Sequence, residues 1–208
     1  FTLKTRRLAE LEKQRILDET IIIFTADHGD MMGSHGMIWK VNESFYDEIA
    51  GIPFMIRYPK LIKPMVSDIH VSLVDIKPTL MSVTNTGYKD EVAGMNLIPF
   101  LTGEKDASEA RQYSFCERVK PDKKGTRKIT AKTEGAFMVR SDDFKLIMYP
   151  DGDSFFYDLK NDPDESYNIV NDLSYKMQIL ELEKALENWL KETNWKGKKV
   201  NYKYLLKV

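Results

Sequence analysis

Asp27 and His28 are neighbours in this chain, and a second histidine, His35, and a lysine, Lys40, follow a few residues on. Carboxylate oxygen beside neutral imidazole nitrogen suits a divalent cation such as Ca²⁺, Mn²⁺ or Zn²⁺. Lysine is a compact cation that can meet anionic oxygens, and histidine can donate or accept a proton near neutral pH. Each residue also has an ordinary fate. Asp27 can cap a turn, His28 can be a satisfied polar group near the core, His35 a turn residue beside Gly36, and Lys40 a solvated surface charge. Residue types alone leave both readings open.

Position suits the first reading and leaves the second open. Ile21-Ile22-Ile23-Phe24-Thr25 is a continuous β-branched and aromatic run rather than an alternating one. Such runs suit a strand covered on both faces, as in a parallel α/β sheet. Asp27 and His28 stand where that strand gives way to a loop marked by Gly29, Gly33 and Gly36. On a continuing strand two adjacent side chains point apart, but at a strand end that turns into a loop they can converge on one cation. Open α/β sheets bind ligands beyond the carboxyl ends of their strands.

The supporting elements follow from pattern. Residues 3–17, rich in Leu, Glu, Lys and Arg, read as an exposed helix that feeds the strand. Residues 52–58 read as a second strand, and 71–83 as helical in its second half, with Asp75 placed to cap it and Pro78 in the first turn. Residues 94–103 form a short apolar turn. From about 111 the texture changes to four short strands, 112–116, 136–140, 145–149 and 155–159, with Ser141-Asp142-Asp143 as a hairpin turn. A long helix over 173–192 follows, with Tyr175, Ile179, Leu182, Leu186 and Trp189 on one face and Asn171 or Asp172 to cap it. The charged stretch 120–132 reads as a loop.

Composition narrows the partners. The chain has 208 residues, is 42% hydrophobic and carries a formal net charge of -1. No basic excess points to nucleic acid, so attraction for an anionic substrate must come from a local arrangement. No apolar run approaches the ~20 residues of a membrane span. The single cysteine, Cys116, cannot form an internal disulfide and reads as a half-buried strand thiol.

The stretch Phe24-Thr25-Ala26-Asp27-His28-Gly29-Asp30-Met31-Met32-Gly33-Ser34-His35-Gly36, followed by Trp39-Lys40, resembles the second metal-binding segment of sulfatases, in the alkaline-phosphatase-like superfamily. Ile52-Pro53-Phe54-Met55-Ile56-Arg57-Tyr58-Pro59 resembles the strand that follows it. Val74-Asp75-Ile76-Lys77-Pro78-Thr79-Leu80 resembles the family's Asp-x-x-Pro-Thr helix start, and 94–103 its Gly-x-x-Leu-x-Pro-x-Leu-x-Gly segment. Lys145-Leu146-Ile147 and Phe156-Tyr157-Asp158-Leu159-Lys160-Asn161-Asp162-Pro163-Asp164-Glu165 resemble the ending of many sulfatases. The motifs run in the family's order over most of the chain.

The resemblance implies an α/β fold: the C-terminal part of an alkaline-phosphatase-like sheet with flanking helices over 1–106, then a small α+β subdomain, a short antiparallel sheet plus a long helix, over 107–208. It implies Asp27 and His28 as ligands of a divalent metal, Ca²⁺ first and Mn²⁺ or Zn²⁺ next. It implies Lys40 as the catalytic cation that contacts the sulfate and the bridging ester oxygen, with His35 and Trp39 at the substrate mouth. Asp75, Pro78 and 157–165 match structural residues. The nucleophile of sulfatases is a formylglycine made within Cys-x-Pro-x-Arg. Cys116, in Phe115-Cys116-Glu117-Arg118-Val119, lacks that spacing, so the formylglycine is expected on sequence upstream.

The chain is therefore expected to be part of a longer sulfuric ester hydrolase, inactive by itself, with the rest of its own catalytic domain as partner. A sulfate ester such as a sulfated sugar would be the substrate, and a periplasmic, secreted or lysosomal compartment is expected from the family. Two alternatives stand beside this. One is a phosphonate or phosphate ester hydrolase of the same superfamily, whose members carry a similar Asp-His-Gly segment and lysine; the other is a non-catalytic sulfatase-like module.

Overall fold

The computed structural model describes residues 2–40, 44–87, 93–119, 129–130 and 132–204. Its helices are α1 (Thr2–Lys13), α2 (Asp47–Ala50), α3 (Ile76–Thr84), α4 (Ile98–Leu101) and α5 (Lys176–Glu192). Its strands are β1 (Ile22–Thr25), β2 (Phe54–Arg57), β3 (Ser114–Val119), β4 (Gly135–Arg140), β5 (Phe144–Met148) and β6 (Ser154–Asp158). Two compact units share them: Phe1–Asp27 with Ile52–Ala110, and His28–Gly51 with Arg111–Val208. The loop after β1 thus belongs to the same unit as the C-terminal sheet.

In the first unit α1 ends before 17, because Arg15 turns the chain with φ 60°. β1 pairs antiparallel with β2, from Ile22 opposite Arg57 to Thr25 opposite Phe54. The expectation of a strand buried on both faces is corrected here: all four β1 residues are half-buried. Hydrophobicity records what a strand can bury, not what is present to cover it. Arg57 fixes the approach to β1, donating to the Leu17 carbonyl at 3.0 Å and to Asp18 Oδ1 at 2.5 Å.

Asp75 does not cap α3 with its side chain, as expected from sequence. Its fully buried carboxylate reaches outward instead, accepting the backbone N–H of Ser72 at 2.8 Å and of Met95 at 2.7 Å. Thr79 Oγ1 accepts from Leu97 N at 3.0 Å. Together they hold the 93–97 segment against the start of α3, where Gly94 is needed: at φ 106° a Cβ would lie 2.3 Å from the Val74 carbonyl oxygen.

The second unit is built on a four-stranded antiparallel sheet in the order β3-β4-β5-β6. The hairpin expected at 141–143 forms, with Arg140 opposite Lys145 and Ser141 N donating to the Phe144 carbonyl at 2.9 Å. Alternation sorts the side chains onto two faces. Phe137, Val139, Leu146, Met148 and Phe156 meet Ile179, Leu182, Leu186 and Leu190 of α5. Ala136, Met138, Ile147 and Tyr157 meet Phe45, with Tyr46 and Ala50 packed beside them. Each such apolar side chain contributes about 1.5–3 kcal/mol when fully buried.

Both faces are covered, so β4 and β5 read as nearly continuous apolar runs although the sheet is antiparallel. The expected face of α5 is the buried one; Asp172 caps the turn ahead of it, accepting from Ser174 N at 2.9 Å. The expected loop at 120–132 falls mostly outside the described residues. Among the described residues no helix is long and apolar enough to cross a membrane.

Candidate active site

The loop that follows β1 is held closed by its own backbone. Met31 N donates to the Trp39 carbonyl at 3.3 Å, and Gly33 N to the Met37 carbonyl at 2.9 Å. Asp30 Oδ1 accepts Met32 N at 3.0 Å. Met31 is the apolar anchor, with no exposed surface, while Met32, Ile38 and Trp39 point outward at 85%, 69% and 73% exposure. Met32, Gly33, His35, Gly36 and Trp39 all have positive φ, which is why glycines recur here.

Asp27, which ends the first unit, is exposed, and His28, which opens the second, is half-buried. His28 Nδ1 lies 2.7 Å from the Gly29 carbonyl oxygen. A carbonyl can only accept, so this contact is a hydrogen bond in the tautomer with the proton on Nδ1. That tautomer is the one a metal-ligating imidazole takes when a carbonyl orients it. Gly29 N donates to the Ile49 carbonyl at 2.9 Å. A Cβ on Gly29 would stand 1.8 Å from the Glu48 carbonyl oxygen, so only glycine fits this approach.

His35 leans on the same segment. Its ring stacks on Tyr46 with centroids 3.9 Å apart and planes at 12°, and its Nε2 is 3.8 Å from Glu48 Oε1. Lys40 is exposed at the end of the loop. The structure therefore brings His28, Gly29 and His35 onto one support, residues 46–49, and sets Trp39 and Lys40 at the outer end. Among the described residues no three His, Cys, Asp or Glu side chains are grouped as a metal would need. Asp27 and His28 supply two donors, fewer than the six to eight oxygens Ca²⁺ takes.

Sequence reasoning missed what holds that support. Lys145 has no exposed surface; its ammonium donates to the Phe45 carbonyl at 3.2 Å and to Asp47 Oδ1 at 2.5 Å, and forms an ion pair with Glu165 Oε1 at 2.7 Å. Glu165 Oε2 accepts Asp47 N at 2.7 Å, and Arg140 Nη2 lies 3.6 Å from Asp47 Oδ2. Burial pushes the Glu165 carboxyl above its ordinary pKa, against the pull of the Lys145 charge. The signal was there: Lys145 alternates with Phe144 and Leu146 on an otherwise apolar strand. Cys116, part-buried in β3, has its thiol pushed up by burial, the opposite of an activated nucleophile.

Comparison with known proteins gives the class. Residues 33–192 match the family described as N-sulphoglucosamine sulphohydrolase, C-terminal. The chain belongs to the sulfatase family and corresponds to its C-terminal portion. It is 34% identical over 194 residues to an N-acetylglucosamine-6-O-sulfatase of Bacteroides thetaiotaomicron, a match that covers 90% of this chain and 33% of that protein.

Two solved structures are similar throughout. One, in complex with its substrate D-glucosamine-2-N,6-O-disulfate, has a TM-score of 0.72 at 31% identity, covering 90% of this chain and 37% of that one. The other is the phosphonate monoester hydrolase of Agrobacterium radiobacter, with a TM-score of 0.76 at 28% identity, covering 88% and 37%. The chain spans about a third of the length of the relative it matches at 34% identity.

Proposed function

We propose that the protein containing this chain hydrolyses sulfate esters of sugars, and that this chain supplies the downstream half of the active site. The observation that carries the reading is the His28 ring, held through Nδ1 at 2.7 Å from the Gly29 carbonyl, beside Asp27 and at the start of a loop that ends in Trp39-Lys40. The sulfated glucosamine bound by a similar structure supports a sugar sulfate as substrate.

Asp27 and His28 fit a divalent cation, Ca²⁺ before Mn²⁺ or Zn²⁺, in donor chemistry, and further ligands would come from sequence beyond this chain. Bound there, the cation would polarise a sulfate oxygen as a Lewis acid. Lys40 places its ammonium against the bridging oxygen and offsets the charge that grows as the S–O bond breaks. His35, fixed by Tyr46 and Glu48, and Trp39 border the substrate and orient its sugar. The formylglycine nucleophile would lie on the upstream sequence.

The likeness to a phosphonate monoester hydrolase favours one second reading, a phosphonate or phosphate ester as substrate. Assay of the full-length enzyme on 4-nitrophenyl sulfate, glucosamine 6-sulfate and a phenyl phosphonate monoester separates them. Preference for the sulfates supports the proposal. Preference for the phosphonate supports the second reading, and no turnover of any of them would leave a non-catalytic module.

A further inference from the structure

Residues 45–49 have two sides, and the two are held by different chemistry. One side supports the loop: Ile49 O takes Gly29 N, Tyr46 carries the His35 ring, and Glu48 faces His35 Nε2. The other side is gripped by the buried charges. Lys145 takes the Phe45 carbonyl and the Asp47 carboxylate, and Glu165 takes the Asp47 N–H. Phe45 packs among Ala136, Met138, Ile147 and Tyr157, but apolar contacts are non-directional and tolerate sliding. Three charge-assisted hydrogen bonds, one to Phe45 and two to Asp47, fix register.

We infer that Lys145 and Glu165 are positioning residues for hydrolysis: through Phe45 and Asp47 they set the place of His28 and His35. The inference rests on the sulfatase reading for its chemistry, and on unit geometry alone for its mechanics. Stability is a poor reason for such a cluster. Replacing a buried ion pair by apolar side chains of like volume is often neutral or stabilising. Glu165 also adopts φ 51°, a conformation non-glycine side chains seldom take, so the carboxylate is delivered to Asp47 from a strained backbone. A misplacement of about 1 Å remote from the chemistry can cost about 100-fold in rate.

The test uses the full-length enzyme with the double substitution Lys145→Met/Glu165→Leu, and separately Glu165→Gln, which keeps an oxygen to accept Asp47 N–H. Amide hydrogen exchange over 28–36 should quicken at least tenfold in the double variant, while β4, β5 and α5 keep their protection. Turnover number on the sulfate ester should fall about 10–100-fold, the range seen when partners that orient metal ligands are removed. Glu165→Gln should recover most of both.

A folded double variant with unchanged exchange at 28–36 and unchanged turnover would overturn the inference. So would a Glu165→Gln variant as impaired as the double one. If the double variant does not fold, Lys145→Met alone decides through the exchange of 28–36, expected to be faster than wild type; no change there overturns the inference. If the wild-type enzyme turns over no sulfate ester, the functional reading falls, and the exchange measurement still decides the role of the cluster.

Discussion

β1 and β5 are equally apolar on paper and differ in the fold. Ile22-Ile23-Phe24-Thr25 is half-buried along its whole length, whereas four of the five residues of Phe144–Met148 are fully buried, a lysine among them. β5 has a helix on one face and the 45–50 segment on the other, all within one unit. β1 has β2 beside it and stays half-buried. The lesson is that an apolar run is buried in β5 by neighbours of its own unit and only half-buried in β1. Function divides in the same way, with the loop after β1 resting on the unit that holds β5.

The sharpest way to break this comparison is at the joint between loop and support. Gly29→Ala would drive a methyl into the Glu48 carbonyl, so the loop must move; activity of the full-length enzyme should fall more than about 100-fold. Steady-state kinetics reads it, and a variant within a few-fold of wild type would mean that the loop needs no fixed seat. Next in size is Lys40→Ala. The side chain is exposed, so the melting temperature should hold while kcat falls about 100–1,000-fold, as when one donor to a developing charge is lost.

The contrast in burial is then tested by stability. Leu186→Ala, at a site with no exposed surface, should cost about 2–5 kcal/mol by urea unfolding. Ile23→Ala in this chain alone should cost well under that, and the gap should narrow in the full-length protein if β1 gains cover there. Equal costs in the isolated chain would erase the difference between the two strands.

A smaller effect concerns pH. Glu165 has a folded pKa raised above its ordinary value of 4.5. The folded state therefore holds its proton more tightly than the unfolded chain. Its favourable contribution is complete below 4.5 and is lost as pH rises through the folded pKa. Glu117, also raised by burial, adds to the same slope. Thermal melts from pH 4.5 upward should show a decline that is shallower in Glu165→Gln; an identical profile would contradict it.

Much of this was legible in the residues. The strands β4, β5 and β6 and the turn between β4 and β5 follow from apolar runs punctuated by Ser141-Asp142-Asp143, and α5 from its 3.6-residue stripe. The loop after β1 was marked by Gly29, Gly33 and Gly36, while the left-handed Met32, His35 and Trp39 left no such mark. What was not legible are the charges that belong inside. Nothing in the local pattern marks Lys145, Glu165 and Glu183 as buried, yet each is, Lys145 and Glu165 paired through a segment a hundred residues away in sequence. Asp75 was singled out as structural and as a cap of α3, but its carboxylate accepts from Ser72 in the turn before α3 and from Met95 in the segment after it. Long-range pairing leaves no local pattern.

The account depends above all on Asp27 and His28 holding a divalent cation in the complete enzyme. Isothermal titration of the metal-stripped full-length protein with Ca²⁺, set against Asp27→Ala and His28→Ala, tests it directly. The account predicts one stoichiometric site in the wild type and affinity at least 100-fold weaker in each variant. Equal Ca²⁺ affinity in all three proteins would contradict it.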